Sequence, residues 1–374
     1  MNKLKVVTIL GTRPEIIRLA ECIKKCDIYF DHVLVHTGQN YDFELNEIFF
    51  EDLGLRKPDY FLNVAGSHLG ETIGNVISKS FEVLSKELPD ALLVLGDTNS
   101  VLSTIAAKRL KIPIFHMEAG NRCYDQNVPE EINRKISDHI SDINLTYTEN
   151  SRRYLLSEGF RKDHVFVTGS PLREVLHRYT KQVLNSDVLK RLGLKEQEYI
   201  VVSAHREENI DLDKNFEILS ESLNNVAEKY KLPVIFSTHP RTKNRIEKNN
   251  ITFHPLITNV APLGFFDYVK LQKSAFVVLS DSGTISEESA MMGFPAVSIR
   301  TSTERPEAID AGTIVLGGIK TDQILNAIEI SRGLFDENIQ LPKEYEVVNT
   351  SDRVVKAIQS YTSIVNKVIW DKQS

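Results

Sequence analysis

The stretch ALLVLG, residues 91–96, is an unbroken apolar run that ends in glycine. Such a run lacks the alternation of a half-exposed strand and is typical of a strand buried on both faces of a parallel sheet. Similar short runs recur in the first half of the chain, at residues 5–10, 32–37, 91–96, 113–117, 143–148 and 164–168. The segments between them, among them residues 80–88 and 100–110, have helical spacing. This alternation predicts a doubly wound α/β domain.

The same alternation starts again further along, with apolar runs at residues 199–204, 233–238, 275–280, 295–300 and 313–316. Gly169-Ser170-Pro171 interrupts the pattern between the two sets. We therefore predict two Rossmann-like doubly wound domains, residues 1–169 and 170–350, that face each other across a cleft. Residues 351–374 are predicted to form a C-terminal helix that packs back on the N-terminal domain through an apolar stripe of Val354, Ile358, Tyr361 and Val365.

The composition is that of an ordinary globular protein of 374 residues, 41% hydrophobic and 26% charged. The formal net charge of −6, from 45 basic and 51 acidic residues, argues against a nucleic-acid or membrane partner held by bulk charge. Three cysteines cannot form a disulfide framework, which favours a reducing compartment. No apolar run reaches the length of about 18 residues that predicts a membrane span, and the first apolar run is typical of a strand, so we expect a cytoplasmic protein.

Polar residues follow the predicted strands, at the position where open α/β sheets bind their ligands. The small ones are explained equally well as turn formers and helix caps. That explanation does not extend to the larger ones, which are Arg13, His116, Glu118, His205 and His239. Two such rows, one in each domain, predict one functional site in the cleft.

Two segments after strands resemble anion sites. In GTRPE, residues 11–15, Arg13 stands at a predicted helix start, where free N–H groups favour an anion; the alternative is an ion pair of Arg13 with Glu15. In DSGTISEE, residues 281–288, a second helix start offers backbone and hydroxyl donors from Ser282, Gly283 and Thr284. Glu288 could accept hydrogen bonds from a ribose diol, although a capped helix with surface glutamates explains that segment equally well.

Carboxylates also cluster after the strands. Asp97, Glu118 and either Glu130 or Glu131 are expected to converge at one strand end, where crowding and burial would raise the pKa of at least one of them. Such a cluster suits proton transfer on either face of a substrate. Both glutamates could instead complement a helix N-terminus, which is the interpretation we favour for Glu131. No metal or other cofactor is expected, because the chain lacks metal-ligand spacing, G-x-G-x-x-G and a P-loop.

An ordered set of motifs resembles a known family over nearly the full chain. The motifs are GTRPE, GDT (96–98), EAGNR (118–122), PEEINR (129–134), AHREEN (204–209), THPR (238–241), DSGTISEE and TSTERPEA (301–308). The set resembles the non-hydrolysing UDP-N-acetylglucosamine 2-epimerases. The finer pattern of HTGQNYD, HMEAGNRC, SAHREENI and LGFFDY is similar to the capsule and O-antigen branch, whose members form UDP-N-acetyl-L-fucosamine.

The resemblance implies a GT-B fold, a homodimer and a UDP-sugar substrate. It also implies that UDP is eliminated to give a 2-acetamidoglycal and adds back after carbon 2 is reprotonated on its other face. The positions that match the family's catalytic residues are Asp97, Glu118, Glu130 and His205. Those that match or adjoin its substrate- and UDP-binding positions are Arg13, Arg18, Arg134, His239, Tyr268, Ser282, Gly283, Thr284 and Glu288.

Two departures from the family pattern concern the sugar and the activator. Arg18 replaces a common lysine, and Asp42 replaces a polar residue that helps some relatives bind a second UDP-sugar. Both are compatible with UDP-N-acetyl-L-fucosamine as the product. The alternatives are the UDP-GlcNAc/UDP-ManNAc 2-epimerase reaction, a GT-B glycosyltransferase and a non-catalytic UDP-sugar-binding protein.

Overall fold

The structure is a computed structural model that describes residues 3–39, 43–206, 209, 213–238, 242, 245–246, 249, 251–300, 303–336 and 338–372. The chain forms two compact units. Unit 1 comprises Met1–Arg178 and Glu346–Ser374, and unit 2 comprises Tyr179–Tyr345.

Within the described residues, unit 1 contains a seven-stranded parallel sheet in the order β3-β2-β1-β4-β5-β6-β7. The strands are β1 (Lys5–Leu10), β2 (Asp31–His36), β3 (Tyr60–Phe61), β4 (Ala91–Leu95), β5 (Ile114–Met117), β6 (Ile143–Thr146) and β7 (Val165–Val167). The helices are α1 (Arg13–Tyr29), α2 (Phe43–Asp52), α3 (Leu69–Glu87), α4 (Ser103–Arg109), α5 (Pro129–Ile140), α6 (Glu149–Ser157) and α7 (Pro171–Arg178). Every residue of β4 is buried, as its apolar run predicts.

Unit 2 contains, in its described part, a six-stranded parallel sheet in the order β10-β9-β8-β11-β12-β13. The strands are β8 (Ile200–Ser203), β9 (Val234–Ser237), β10 (Ile257–Val260), β11 (Val277–Ser280), β12 (Ala296–Ser298) and β13 (Val315–Leu316). The helices are α8 (Thr180–Asn185), α9 (Val188–Arg191), α10 (Asp213–Tyr230), α11 (Phe265–Lys273), α12 (Ile285–Met292), α13 (Pro306–Asp310) and α14 (Thr321–Gly333). Along β8, Ile200 and Val202 join one core cluster and Val201 joins another, so both faces of the sheet are covered.

The chain returns to unit 1 with helix α15 (Thr350–Val368), which packs against α1 and α7. Its buried stripe includes Val354, Ile358 and Val365. At its first turn, the Ser351 backbone N–H donates to Glu174 Oε2 at 2.8 Å. The helix therefore completes unit 1 although it follows unit 2 in sequence.

The predicted fold class of two Rossmann-like α/β domains is confirmed: each predicted apolar run contains a strand. The pattern does not predict β3, which has two residues, or β10, whose Thr258 and Asn259 are exposed on an edge strand. Among the described residues, no helix combines the length and the hydrophobicity that a membrane crossing requires.

Candidate functional site

In unit 1, the carboxylates of two neighbouring strand ends are joined by one arginine. Strands β4 and β5 pair with Leu95 opposite Met117, so that Asp97 and Glu118 follow them at the same edge of the sheet. Arg134, on α5, donates from Nη2 to Asp97 Oδ2 and lies 3.3 Å from Glu118 Oε1. Its Nη1 donates to the Glu118 carbonyl oxygen at 2.5 Å. Arg134 therefore holds the backbone of one strand end and the side chains of both.

A second arginine contacts Glu118 from the other side. Arg18, on α1, donates from Nη1 to Glu118 Oε2, and both residues are only 4% exposed. The Arg18 guanidinium lies 5.8 Å from the centre of the Tyr147 ring. Because two cations flank the pair of carboxylates, they offset the repulsion that the sequence pattern alone predicts between Asp97 and Glu118.

Glu118 also has an unusual backbone. Its φ of +61° lies in the left-handed region, which non-glycine residues adopt at a cost of about 1–3 kcal/mol. Two residues later, Gly120 has a φ of +80°, and a Cβ there would lie 2.5 Å from the Ser151 carbonyl oxygen. The turn after β5 is thus held in a strained conformation that presents the Glu118 side chain to both arginines.

The two adjacent glutamates of α5 have different surroundings. Glu131 is buried; its Oε2 accepts from the Cys123 backbone N–H at 3.0 Å, and its Oε1 lies 3.0 Å from Lys135 Nζ. Burial raises the pKa of Glu131, but the Cys123 N–H and Lys135 outweigh it, so the net shift is downward. Glu131 therefore anchors the loop before α5. Glu130 is half-buried and lies one helical turn before Arg134 on the same face, and its catalytic role stays a prediction.

His116 lies beneath this strand edge rather than at it. The imidazole is fully buried, with Nε2 2.7 Å from the Gly96 carbonyl oxygen and Nδ1 2.9 Å from Asp138 Oδ1. Asp138 also accepts from Arg122 Nη1 at 2.7 Å. Burial alone would raise the pKa of Asp138, but the hydrogen bond and charge of His116 and the arginine charges lower it overall. This network supports the turn that carries Asp97.

The GTRPE segment is organised by Glu15, whose side chain is buried. It accepts four hydrogen bonds, from the Gly11 backbone N–H at 3.1 Å, Thr12 Oγ1 at 2.8 Å, Thr98 Oγ1 at 3.0 Å and Ser100 Oγ. Burial raises the pKa of Glu15, and these donors oppose the rise. Glu15 thereby joins the loop of Arg13 to the loop of Asp97. Arg13 is exposed, and its guanidinium lies 5.6 Å from the centre of the Phe49 ring.

In unit 2, a buried aspartate connects the ends of β8 and β11. Asp281 accepts from the backbone N–H groups of His205 and Arg206, each at 3.0 Å, and from Asn209 Nδ2 at 3.1 Å. The His205 imidazole has Nδ1 3.3 Å from Asp281 Oδ1, and its side chain is 45% exposed. Asp281 therefore orients an imidazole that solvent or a ligand can reach.

Three arginines converge on Gly283, at the start of α12. A Cβ at Gly283 would lie 3.4 Å from Arg206 Nη2, 3.8 Å from Arg300 Nη1 and 3.7 Å from Arg305 Nη1. Thr284 is the N-cap residue of α12, and its side chain forms no capping hydrogen bond. Arginine side chains beside a helix N-terminus are well suited to bind a phosphate or diphosphate. We call this group of side chains the anion site of unit 2, since an anion is the ligand that it suits.

The remaining described site residues predicted in unit 2 lie on α11, on α12 and directly before α12. Thr284 Oγ1 donates to Glu288 Oε1 at 2.5 Å, and Gln272 Nε2 donates to Glu288 Oε2 at 2.7 Å. Ser282 Oγ lies 2.9 Å from Thr284 Oγ1, and Tyr268 packs against the core of unit 2. A nucleoside contact of Glu288 or Tyr268 stays a prediction.

The site residues predicted from the sequence do not include Arg206, Arg300 and Arg305. The available signal was positional, since Arg206 follows His205, Arg300 follows β12, and Arg305 belongs to the TSTERPEA motif. His239 and Asp42 lie outside the described residues.

Comparisons with known proteins agree over most of the chain. The profile of a family described as UDP-N-acetylglucosamine 2-epimerase matches residues 24–359. A UDP-N-acetylglucosamine 2-epimerase of Methanococcus maripaludis is 37% identical over 336 residues, covering 87% of this chain and 91% of the relative. The structure of a UDP-N-acetylglucosamine 2-epimerase from Rickettsia bellii is 47% identical, with a TM-score of 0.91 and coverage of 99% of this chain and 100% of that one. The Methanocaldococcus jannaschii UDP-GlcNAc 2-epimerase in complex with UDP-GlcNAc and UDP is 34% identical, with a TM-score of 0.90 and coverage of 95% and 99%.

Proposed function

The chain belongs to the UDP-N-acetylglucosamine 2-epimerase family, and we propose that it inverts carbon 2 of a UDP-N-acetylhexosamine. The observation that carries the proposal is the contact of Arg134 with both Asp97 and Glu118. Inversion at carbon 2 requires that a proton leave one face of the sugar and return on the other. Two carboxylates that contact one arginine support a reaction that uses two proton-transfer groups.

The proposed reaction balances without a redox partner. A carboxylate takes the proton from carbon 2, the C–H electrons form the carbon 1–carbon 2 double bond, and the bond from carbon 1 to the diphosphate oxygen breaks. UDP leaves with that electron pair. UDP then adds back to carbon 1 while carbon 2 takes a proton on the opposite face. We assign these proton transfers to Asp97 and Glu118, with Glu130 as a further predicted participant.

We assign the binding of UDP to unit 2. Arg206, Arg300 and Arg305 offer positive charge around Gly283, which stabilises the diphosphate both as a substrate group and as a leaving group. His205, whose imidazole lies 3.3 Å from Asp281, precedes Arg206 in the chain, and we propose it as the catalytic imidazole of this site. Arg13 is proposed as a further diphosphate contact, and Glu288 as a ribose contact.

For the sugar, we propose UDP-N-acetyl-L-fucosamine and its 2-epimer. The support is the similarity of HTGQNYD, HMEAGNRC, SAHREENI and LGFFDY to the capsule and O-antigen branch. The second candidate is the UDP-GlcNAc/UDP-ManNAc pair, because the similar proteins named above are UDP-N-acetylglucosamine 2-epimerases. A pocket fitted to the 6-deoxy methyl group contributes only about 1–3 kcal/mol, roughly 10–200-fold in preference.

The test is NMR of each nucleotide sugar, incubated with the protein in D₂O without an acceptor. We expect deuterium at carbon 2 and a mixture of both epimers, formed faster from the fucosamine pair than from UDP-GlcNAc. Conversion of UDP-GlcNAc at an equal or higher rate would leave the epimerase proposal intact and overturn the fucosamine proposal. Slow hydrolysis alone would indicate a glycosyltransferase, and an unchanged sugar would indicate a binding protein. The predicted homodimer is tested separately by sedimentation equilibrium.

A further inference from the structure

One glutamate faces all three arginines of the anion site. Glu304 lies in the turn before α13 and is 7% exposed. Its Oε1 lies 3.4 Å from Arg300 Nη1 and 3.5 Å from Arg206 Nη2, and its Oε2 lies 3.9 Å from Arg305 Nη1. These are the same three nitrogen atoms that lie nearest to a Cβ placed on Gly283. An anion bound at Gly283 would therefore use the atoms that Glu304 already contacts.

Glu304 lies at some distance from each of these three nitrogen atoms. A strong ion pair between a guanidinium and a carboxylate has an N···O distance of about 2.7–2.9 Å. The three distances from Glu304 to these nitrogen atoms, 3.4, 3.5 and 3.9 Å, are longer than that. Glu304 shares its charge among three cations and forms a close bond with none of these three nitrogen atoms. A diphosphate, with more charge and more oxygen atoms, would compete well for them.

The burial of the arginines explains why a carboxylate is needed there. Arg300 and Arg305 are 3% and 2% exposed, and a buried cation without a counter-charge is costly. When no ligand is present, Glu304 supplies part of that counter-charge. When a diphosphate is present, its oxygens supply it, and the negative charge of Glu304 then opposes the ligand.

We propose that Glu304 is the internal counter-ion of the anion site: it stabilises the arginines in the empty site and competes with the diphosphate for them. Glu304 thereby lowers the affinity of the site for the diphosphate, which favours release of the UDP-sugar product. The inference rests on the proposed function for the identity of the anion as the diphosphate of UDP. The opposite possibility is that Glu304 orients the arginines and so assists binding.

The experiment is titration calorimetry of the full chain with inorganic pyrophosphate and, separately, with UDP. Glu304→Gln keeps the side-chain size and one oxygen acceptor but removes the charge. We expect both ligands to bind the variant about tenfold more tightly than the wild type, because a buried like charge has been removed. The matched control is Glu196→Gln, in the same unit, whose carboxylate is 63% exposed and pairs with Lys270 at 2.9 Å. The control should leave both affinities unchanged.

Thermal unfolding of the same variants gives an independent measurement. Without ligand, Glu304→Gln should unfold at a lower temperature than the wild type, and saturating pyrophosphate should raise that temperature by more than it does in the wild type. If Glu304→Gln does not fold, Glu304→Asp withdraws the carboxylate from the arginines and should tighten binding to a smaller extent. Equal or weaker binding of pyrophosphate by the folded variant overturns the proposal, as does a wild type that binds neither ligand. A wild type that binds pyrophosphate but neither binds nor epimerises UDP-sugars would instead contradict the proposed function.

Discussion

The two sites are built from the same ion-pair chemistry in different proportions. In unit 1, Arg18 and Arg134 contact the carboxylates Asp97 and Glu118. In unit 2, Glu304 contacts Arg206, Arg300 and Arg305, and a second buried carboxylate, Glu287, lies with its Oε2 3.3 Å from Arg305 Nε. The carboxylates of unit 1 are matched by an equal number of arginines, whereas the arginines of unit 2 outnumber the carboxylates beside them.

This difference decides what each site can do. A carboxylate that accepts hydrogen bonds on one side can still exchange a proton on its other oxygen lone pairs. An arginine does not exchange protons at physiological pH, so a site rich in arginine binds anions and stabilises charge. The presence of ion pairs alone would not separate these two functions. The balance of charge does, since the charges of unit 1 cancel and positive charge is in excess in unit 2.

The largest effect on activity is expected when the carboxylates of unit 1 lose their charge. We expect Asp97→Asn and Glu118→Gln each to lower kcat by about 10²–10⁴-fold, since a positioned acid or base is lost. UDP binding, which we assign to unit 2, should be retained within a factor of about three by calorimetry. Asp163→Asn, which removes a carboxylate of an exposed ion pair with Arg161, is the control and should leave kcat unchanged. Near-normal rates in both site variants would refute the proton-transfer assignment.

A smaller effect is expected from filling the anion site of unit 2. Gly283→Ala places a methyl group 3.4–3.8 Å from the three guanidinium nitrogens, which is an ordinary contact distance, so the protein should fold. The methyl takes space that the diphosphate needs, at a cost of about 1–3 kcal/mol. The Kd for UDP should then rise roughly 5- to 150-fold by calorimetry.

The matched control for that substitution is Gly333→Ala. A Cβ at Gly333 has no atom within 4 Å among the residues that the structure describes. Its UDP affinity should equal that of the wild type. Unchanged affinity in Gly283→Ala would mean that the diphosphate binds elsewhere, which would contradict the assignment of UDP binding to the anion site of unit 2.

Glu15 differs from Asp97 and Glu118, which contact arginines. Its carboxylate accepts hydrogen bonds from hydroxyl groups and a backbone N–H. Burial raises its pKa in the folded state above the ordinary value of 4.5. Its contribution to stability is therefore fully present below the ordinary value and falls as the pH rises through the folded value. Glu15→Gln removes this dependence and should cost about 1–3 kcal/mol at acidic pH and less at pH 8.

Urea unfolding at several pH values measures this difference. The exposed Glu82→Gln in α3 is the control and should show no such trend. A destabilisation by Glu15→Gln that grows with pH would show that Glu15 is held as an anion, as the carboxylates beside arginines are.

The smallest effect is expected from chelation. The described residues contain no group of three or more His, Cys, Asp and Glu side chains placed to hold a metal ion. Epimerase activity should therefore be the same before and after dialysis against EDTA. Activity that is lost on dialysis and restored by a divalent cation would mean that a metal ion takes part in the reaction. The assignment of the unit 1 carboxylates to proton transfer alone would then be wrong.

The sequence predicts the fold well because buried parallel strands leave a local signal. The run at residues 91–96 is apolar throughout, and the structure places β4 at Ala91–Leu95. Strand β10 leaves no such signal, because its Thr258 and Asn259 face solvent at the edge of the sheet.

The site is less predictable because its contacts join residues far apart in sequence. Glu15 is close to Arg13 in the chain, yet its carboxylate accepts from Thr98 and Ser100. Arg300 and Arg305 meet Arg206 only because the ends of β8 and β12 share one edge of a sheet. A motif can identify such residues one by one, but the spacing of apolar residues does not show which of them are in contact.

The return of the chain to unit 1 has a consequence for biosynthesis. Helix α15 packs against α1 and α7, yet the ribosome makes it only after all of Tyr179–Tyr345. At translation rates of about 5–20 residues per second, the first 178 residues wait on the order of ten seconds or more for their last helix. During that interval the apolar surface that α15 later covers is open to solvent and to chaperones. Unit 2, made from one continuous segment, can finish folding before the unit that precedes it.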